Sequence, residues 1–352
     1  MPNLQSQRRW RVRVVLSLGL AAVLALALGP VARHLAAARM LTRFAADEDL
    51  GTPGMPLTVA GMDARAYGSG PPLLLVHGVH PGGMHEPRLI RFARILAAEG
   101  YRVVTPQLSA LAEFRLDPET ATRIAQAARE LAEHSPDGRI GVVGISIGGG
   151  MALMAADGEP AIRAVLAIGA HHDARRLTAW WLGEGISGPD GVALESAPPE
   201  TYGLQVLAHA YAEEVFGPDE APAARRAIAA QFDDSHPPET LAPRTQARLQ
   251  ALRTSPAPPW LAPVVDAHRD ALRDASPVGH LGALDADVFL LHGLSDPVVP
   301  PVESGWIASE LPAARVGGVL QTPLIGHAER HDVGLAEQLR VVHLVAGALG
   351  AL

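Results

Sequence analysis

Gly144-Ile145-Ser146-Ile147-Gly148 joins an apolar run, Ile140 to Val143, to an Ala- and Met-rich stretch, Met151 to Ala156. A short apolar run giving way at once to a helix former is a strand-to-helix corner. A corner this sharp leaves no room for a Cβ two positions to either side of the serine, and both of those positions are glycine. The turn lifts the Ser146 hydroxyl off the sheet edge, and the Ile147 N–H at the helix start can face a developing oxyanion. Gly and Ser are common, so the pentapeptide alone is weak evidence; its force comes from the signals that surround it in order.

Around that corner, short apolar runs alternate with helical stretches, the pattern of a parallel α/β sheet. Met62 to Tyr67 reads as an antiparallel strand, and Leu73-Leu74-Leu75-Val76 as a strand buried on both faces. Arg88 to Glu99 is an amphipathic helix closed by Gly100, and Tyr101 to Thr105 is the next strand. Glu119 to Glu133 is helical, and Ile162 to Ile168 is a strand beyond the corner. Between Ala170 and Ala286 no strand pattern stands out. Helical stretches broken by Pro and Gly take over, among them Tyr202 to Phe216, Pro222 to Phe232 and Pro263 to Asp274. Leu204, Leu207, Tyr211 and Val215 share one helical face there.

This block predicts a helical cap inserted before the last two strands, Val288 to Leu291 and Arg315 to Leu320, with a closing helix from Leu335 to Ala346. Trp180 and Trp181 in the cap either line an acyl pocket or pack the cap onto the sheet. The division this implies is an N-terminal segment 1–45, a linker 46–61, a first core part 62–170, the cap 171–285 and a second core part 286–352.

With 352 residues, 48% of them apolar, the chain can bury a sizeable core. A net charge of −8 argues against a general nucleic-acid binder. The absence of cysteine excludes disulfides, thiol catalysis and Cys-ligated zinc. Arg8, Arg9, Arg11 and Arg13 precede an uncharged apolar run from Val14 to Ala32, about the length of a bilayer-crossing helix. Ala25-Leu26-Ala27 offers small residues for signal cleavage. The run is long for a signal, however, and Arg33, Arg39 and Arg43 form a second flank. The expectation is an uncleaved single-pass transmembrane helix anchoring the chain in the cell membrane, with the folded domain outside the cytoplasm. The alternative is secretion after cleavage.

A serine hydroxyl needs a base to take its proton, and that base needs an acid to hold its tautomer. After the strand Val288 to Leu291 comes His292-Gly293-Leu294-Ser295-Asp296-Pro297-Val298-Val299-Pro300. Asp296 falls at the carboxyl end of that strand, the edge where open α/β sheets keep their sites. After the strand ending at Leu320 comes Gly326-His327-Ala328-Glu329, with His327 on a loop before the last helix. Asp173, in His171-His172-Asp173, is the alternative acid, and His331 is the rival base. Those three adjacent residues are a weak metal candidate without a distant ligand. Glu303 reads as a helix N-terminal residue favoured by the dipole.

The order Ser146, Asp296, His327, together with Leu75-Val76-His77-Gly78, resembles the α/β-hydrolase superfamily from about Met62 to the C-terminus. The resemblance implies an α/β-hydrolase fold: a mostly parallel central sheet flanked by helices. It implies catalysis by Ser146, His327 and Asp296, with an oxyanion hole from the N–H groups of Val79 and Ile147. His77 would shape the loop behind that hole. No cofactor and no metal are required. The expected partners are a small-molecule or lipid-like ester and the membrane. The same triad serves peptidases and amidases, thioesterases and acyltransferases; a non-catalytic binding protein of the same fold is the alternative from another class.

Overall fold

Leu73, Leu74, Leu75 and Val76 are all fully buried, as a strand covered on both faces requires. The chain is seen here in a computed structural model that describes residues 29–194, 198–232, 240–254, 257–325 and 334–352. Its strands are β1 (Met55–Val59), β2 (Met62–Tyr67), β3 (Pro72–Val76), β4 (Arg102–Pro106), β5 (Ile140–Ile145) and β6 (Ile162–Ile168). A two-stranded ribbon follows, β7 (Ile186–Ser187) and β8 (Ala193–Leu194), and then β9 (Asp287–Gly293) and β10 (Val316–Thr322). Among the described residues one eight-stranded sheet runs in the order β1-β2-β4-β3-β5-β6-β9-β10. β1 pairs β2 and β2 pairs β4 antiparallel; every pairing from β4 through β10 is parallel.

Successive side chains on β3 point to opposite faces and so divide the core in two. Leu74 and Val76 join one cluster with Val104, Val142, Val165 and Leu290, while Leu73 and Leu75 join another with Val103, Val143, Leu166 and Leu291. The second face is covered by α1 (residues 29–45), α2 (Pro87–Ala98) and, at the chain's end, α14 (Leu335–Ala351). The first face is covered by α4 (Glu119–Ala132) and α5 (Ile147–Ala155); a short α3 (Ser109–Ala112) precedes them. α5 is buried on nearly all sides, so its glycines matter: a Cβ on Gly144 would lie 2.6 Å from Gly149 Cα.

Between β6 and β9 lie α6 (Ala174–Trp181), α7 (Tyr202–Ala210), α8 (Ala212–Phe216), α9 (Ala221–Ala229), α10 (Pro243–Ala251), α11 (Ala262–Ala267) and α12 (Arg269–Asp274). α13 (Val302–Glu310) then separates β9 from β10. Where one helix was expected from Tyr202 to Phe216, the chain breaks at Tyr211 (φ −106°, ψ 37°). The closing helix runs on to Ala351, beyond the expected Ala346, because Ala348, Leu349 and Leu352 still face the core. β1 lies within the stretch read as linker; its proline, and the glycine just before it, hid its alternation from the sequence.

The expected membrane-crossing helix is not among the described residues. None of their helices is long and apolar enough to span a bilayer, and residues 14–28 of the uncharged run lie outside them. What is described, α1, is amphipathic. Ala37 and Met40 are buried in the second cluster, and Arg39 makes a two-pronged contact to Glu99 at 3.2 and 2.5 Å.

Candidate active site

Ser146 follows β5 directly and occupies φ 54°, ψ −131°, a left-handed backbone that costs a non-glycine residue about 1–3 kcal/mol. Hydrogen bonds hold it there. Its N–H donates to the Ile168 carbonyl at 2.7 Å, and its carbonyl accepts from Gly149 N–H at 2.8 Å. The neighbouring chain comes so close that a Cβ on Gly148 would run into the His77 carbonyl, and one on Gly78 would lie 3.1 Å from Ser146 Cβ. The corner expected from the sequence is therefore present, with the loop after β3 resting against it.

That loop carries Val79, which is buried and follows Gly78. No acceptor among the described residues takes the Val79 N–H, whereas its carbonyl accepts from the Tyr202 hydroxyl. Ile147 opens α5, where a first-turn N–H has no acceptor within its own helix. His77 sits behind both. Leu108 N–H donates to its Nε2 at 3.1 Å, so the proton is on Nδ1 and goes to the Gly78 carbonyl at 2.7 Å. Both ring nitrogens are thus spent on the backbone, the loop-shaping part expected of this residue.

Asp296 stands at the far side of the same edge. Its Oδ1 accepts from Val298 N–H at 2.9 Å and Val299 N–H at 3.0 Å, which fixes the carboxylate plane. Its Oδ2 faces Gly169, where an added Cβ would lie 3.4 Å away. Gly169 follows Ile168, the residue whose carbonyl holds Ser146 N–H, so Ser146 and Asp296 lie at the adjacent ends of β5, β6 and β9. His292, which the sequence reading left without a part, stiffens this loop. Fully buried, it donates from Nε2 to the Val299 carbonyl at 2.9 Å and accepts at Nδ1 from Ser304 Oγ at 2.6 Å.

His327 and its rival His331 lie outside the described residues. The chain leading to them does not. Ile325 packs its carbonyl against Gly293, and the space for a Gly293 Cβ is 3.7 Å from Asp296 Cβ.

Asp173 is committed elsewhere. It caps α6, with Oδ1 accepting from Arg175 N–H at 2.9 Å and from Arg175 Nε at 3.1 Å, and Oδ2 from Arg175 Nη2 at 2.8 Å. Those contacts hold its carboxyl below the usual range against the opposing effect of burial. Among the described residues no group of His, Asp and Glu could hold a metal ion. Glu303 does open α13, but it is also a hub. Wholly buried, its carboxylate accepts from His172 N–H (2.7 Å), Asp173 N–H (3.1 Å), Arg176 Nε (2.6 Å) and Arg176 Nη2 (3.1 Å). Trp180 and Trp181 are buried, which fits the packing reading, and they wall a crevice of about 250 Å³ with Glu200 and Leu204.

Burial pushes the imidazoles of His77, His171 and His209 down from 6.5 to about 4. Between those values the unfolded chain binds protons that the folded chain does not, so stability is full above pH 6.5 and falls as pH drops toward 4. The expected loss at about pH 5 is on the order of 2 kcal/mol per histidine. Urea midpoints at about pH 7.5 and about pH 5 measure it; equal midpoints would contradict neutral burial.

Similar solved structures include a Mycobacterium tuberculosis puromycin-hydrolyzing peptidase, 16% identical with a TM-score of 0.51 over 87% of this chain and 40% of that one. Pyrococcus horikoshii acylaminoacyl peptidase is 15% identical with a TM-score of 0.45, covering 82% of this chain and 39% of that one. A membrane phospholipase A described as a bacterial virulence factor is 20% identical with a TM-score of 0.47, over 98% of this chain and 99% of that one. The chain thus spans about two fifths of the length of the two peptidases. No curated protein matches. The family model for the alpha/beta hydrolase fold matches residues 71–322, well over half of the chain and every loop that carries Val79, Ser146 and Asp296. On that match and this sheet, the chain belongs to the α/β-hydrolase fold family.

Proposed function

We propose that the protein is a serine hydrolase that cleaves a carboxylic ester through an acyl-enzyme on Ser146. The observation that carries the proposal is the left-handed Ser146 held at the β5 corner, with Asp296 at the neighbouring strand end. Strain of this kind persists only where surrounding structure enforces it, and it aims the hydroxyl outward. The general base would be His327. Ile325, two residues earlier, touches the Asp296 loop, and two residues of chain reach about 7 Å at most. An imidazole in range of Asp296 fits that span.

In this reading Ser146 Oγ attacks the ester carbonyl carbon while its proton passes to His327. The carbonyl oxygen becomes an oxyanion between the N–H groups of Val79 and Ile147. Collapse breaks the C–O bond, and the alcohol leaves with the proton from the imidazolium. Water, deprotonated by the same imidazole, then attacks the acyl carbon and releases the acid and free Ser146. Asp296 orients the imidazole and stabilises its charged form.

The uncharged run from Val14 to Ala32 and the arginines flanking it support a membrane anchor, which would bring lipid-like esters near the site. An alkyl fluorophosphonate tests the chemistry on the full-length chain, beside an ester-chain-length series and matched amides. Labelling at Ser146 with ester turnover above amide turnover is the expected result. No label on folded protein would favour a binding protein of the same fold, and faster amide cleavage would favour a peptidase. Retention of the chain in carbonate-washed membranes tests the anchor.

A further inference from the structure

The four-residue segment 200–203, leading into α7, touches both halves of the site. Glu200 N–H donates to the Pro297 carbonyl at 2.9 Å, next to Asp296. Tyr202 donates its hydroxyl to the Val79 carbonyl, on the oxyanion loop. Gly203 lies flat under the Trp181 indole, so close that an added Cβ would be 2.6 Å from Trp181 Cδ1. The same indole donates Nε1–H to the Val298 carbonyl at 2.7 Å, and Val298 N–H in turn holds Asp296 Oδ1.

The Tyr202 ring is fixed from the side by Phe232, edge-on at 5.3 Å, and Phe232 also packs on Phe114 at 5.4 Å and on His80 at 6.1 Å. Neither polar group can swing away cheaply. Burial raises the phenol's pKa, so the hydroxyl keeps its proton throughout the working range.

We propose that residues 200–203, with Trp181, form a brace that sets the distance between the oxyanion donor Val79 and the acid Asp296. Tyr202 and Trp181 are then positioning residues of the hydrolase, acting through Val79 and Val298 rather than on the substrate. The inference rests on the reading of Val79 N–H as an oxyanion donor. Such donors act by preorganisation: a carbonyl left without its partner lets the peptide plane rotate, and the N–H on the adjoining peptide loses its aim.

The test is Tyr202→Phe, which keeps the ring and deletes only the hydroxyl, beside Trp181→Phe and the double variant in the full-length chain. Tyr202→Phe is expected to slow fluorophosphonate labelling of Ser146 and kcat for a short nitrophenyl ester about tenfold, with KM within about twofold. Trp181→Phe loosens Asp296, so the imidazolium loses support and the acid limb of the kcat/KM profile moves to lower pH; in Tyr202→Phe that limb stays in place. Because the Trp181 indole packs on Gly203, the residue next to Tyr202, the double variant should fall short of the product of the single effects.

Wild-type labelling by Tyr202→Phe, a rise in KM with kcat unchanged, or fully multiplicative effects would each overturn the brace while the hydrolase reading stands. If Tyr202→Phe does not fold, an unmoved acid limb in Trp181→Phe overturns it equally. An unlabelled wild type would overturn both.

Discussion

Replacing Ser146 by alanine is expected to lower ester turnover by about 10⁴-fold or more, the scale seen when the nucleophile of a working triad is removed. The fold should survive, because alanine keeps the Cβ that already packs beside Gly78. The φ of 54° gives a second arm. Ser146→Gly removes the backbone penalty along with the nucleophile, so it should be equally inactive yet about 1 kcal/mol more stable than Ser146→Ala. Ester assays and urea melts on the same samples read both quantities. Comparable turnover by wild type and Ser146→Ala would remove covalent catalysis from consideration.

Glu303→Ala is expected to cost about 3–5 kcal/mol of stability, the cost of breaking a buried ion pair by removing one partner. The carboxylate is wholly buried and takes four donors, so its loss strands two backbone N–H groups as well as the Arg176 guanidinium. Arg176 also lies over the Trp306 ring at 4.5 Å, and that contact would be strained by an unpaired charge. Glu303→Gln, which keeps the oxygen acceptor, should lose roughly half as much. The shift in urea midpoint decides; a change under about 1 kcal/mol would mean that water replaces the carboxylate there.

The sheet was legible in the sequence because a strand buried on both faces must be apolar throughout, and Leu73–Val76 and Ile140–Val143 admit no other reading at that length. The corner was legible because steric crowding leaves glycine as the residue that fits at 144 and 148. The place of Asp296 just after a strand was legible too. What the sequence hid was mostly polar and long-range. Glu303 reads as an ordinary first-turn acid, since its partners sit about 130 residues earlier and helical position says nothing of burial. Tyr202 and Trp181 look like core aromatics because a single hydroxyl or indole N–H leaves no periodic trace. His292 was taken only as part of a motif, although its ring contacts to Val299 and Ser304 stiffen the loop that carries Asp296.

The packing of α1 has a mechanical corollary. Arg39 and Arg43 both reach Glu99, whose side chain is only 3% exposed, and Ala37 and Met40 are wedged into the face shared with α14. Whatever tugs on the polypeptide upstream of residue 29 therefore pulls on a rigid lever, not on a slack tether, and the orientation of the whole body follows it. Trimming the chain back to residue 47 would strip Glu99 of both arginines and uncover the greasy surface beneath Ala37 and Met40, so a shortened form should be sticky and easily melted.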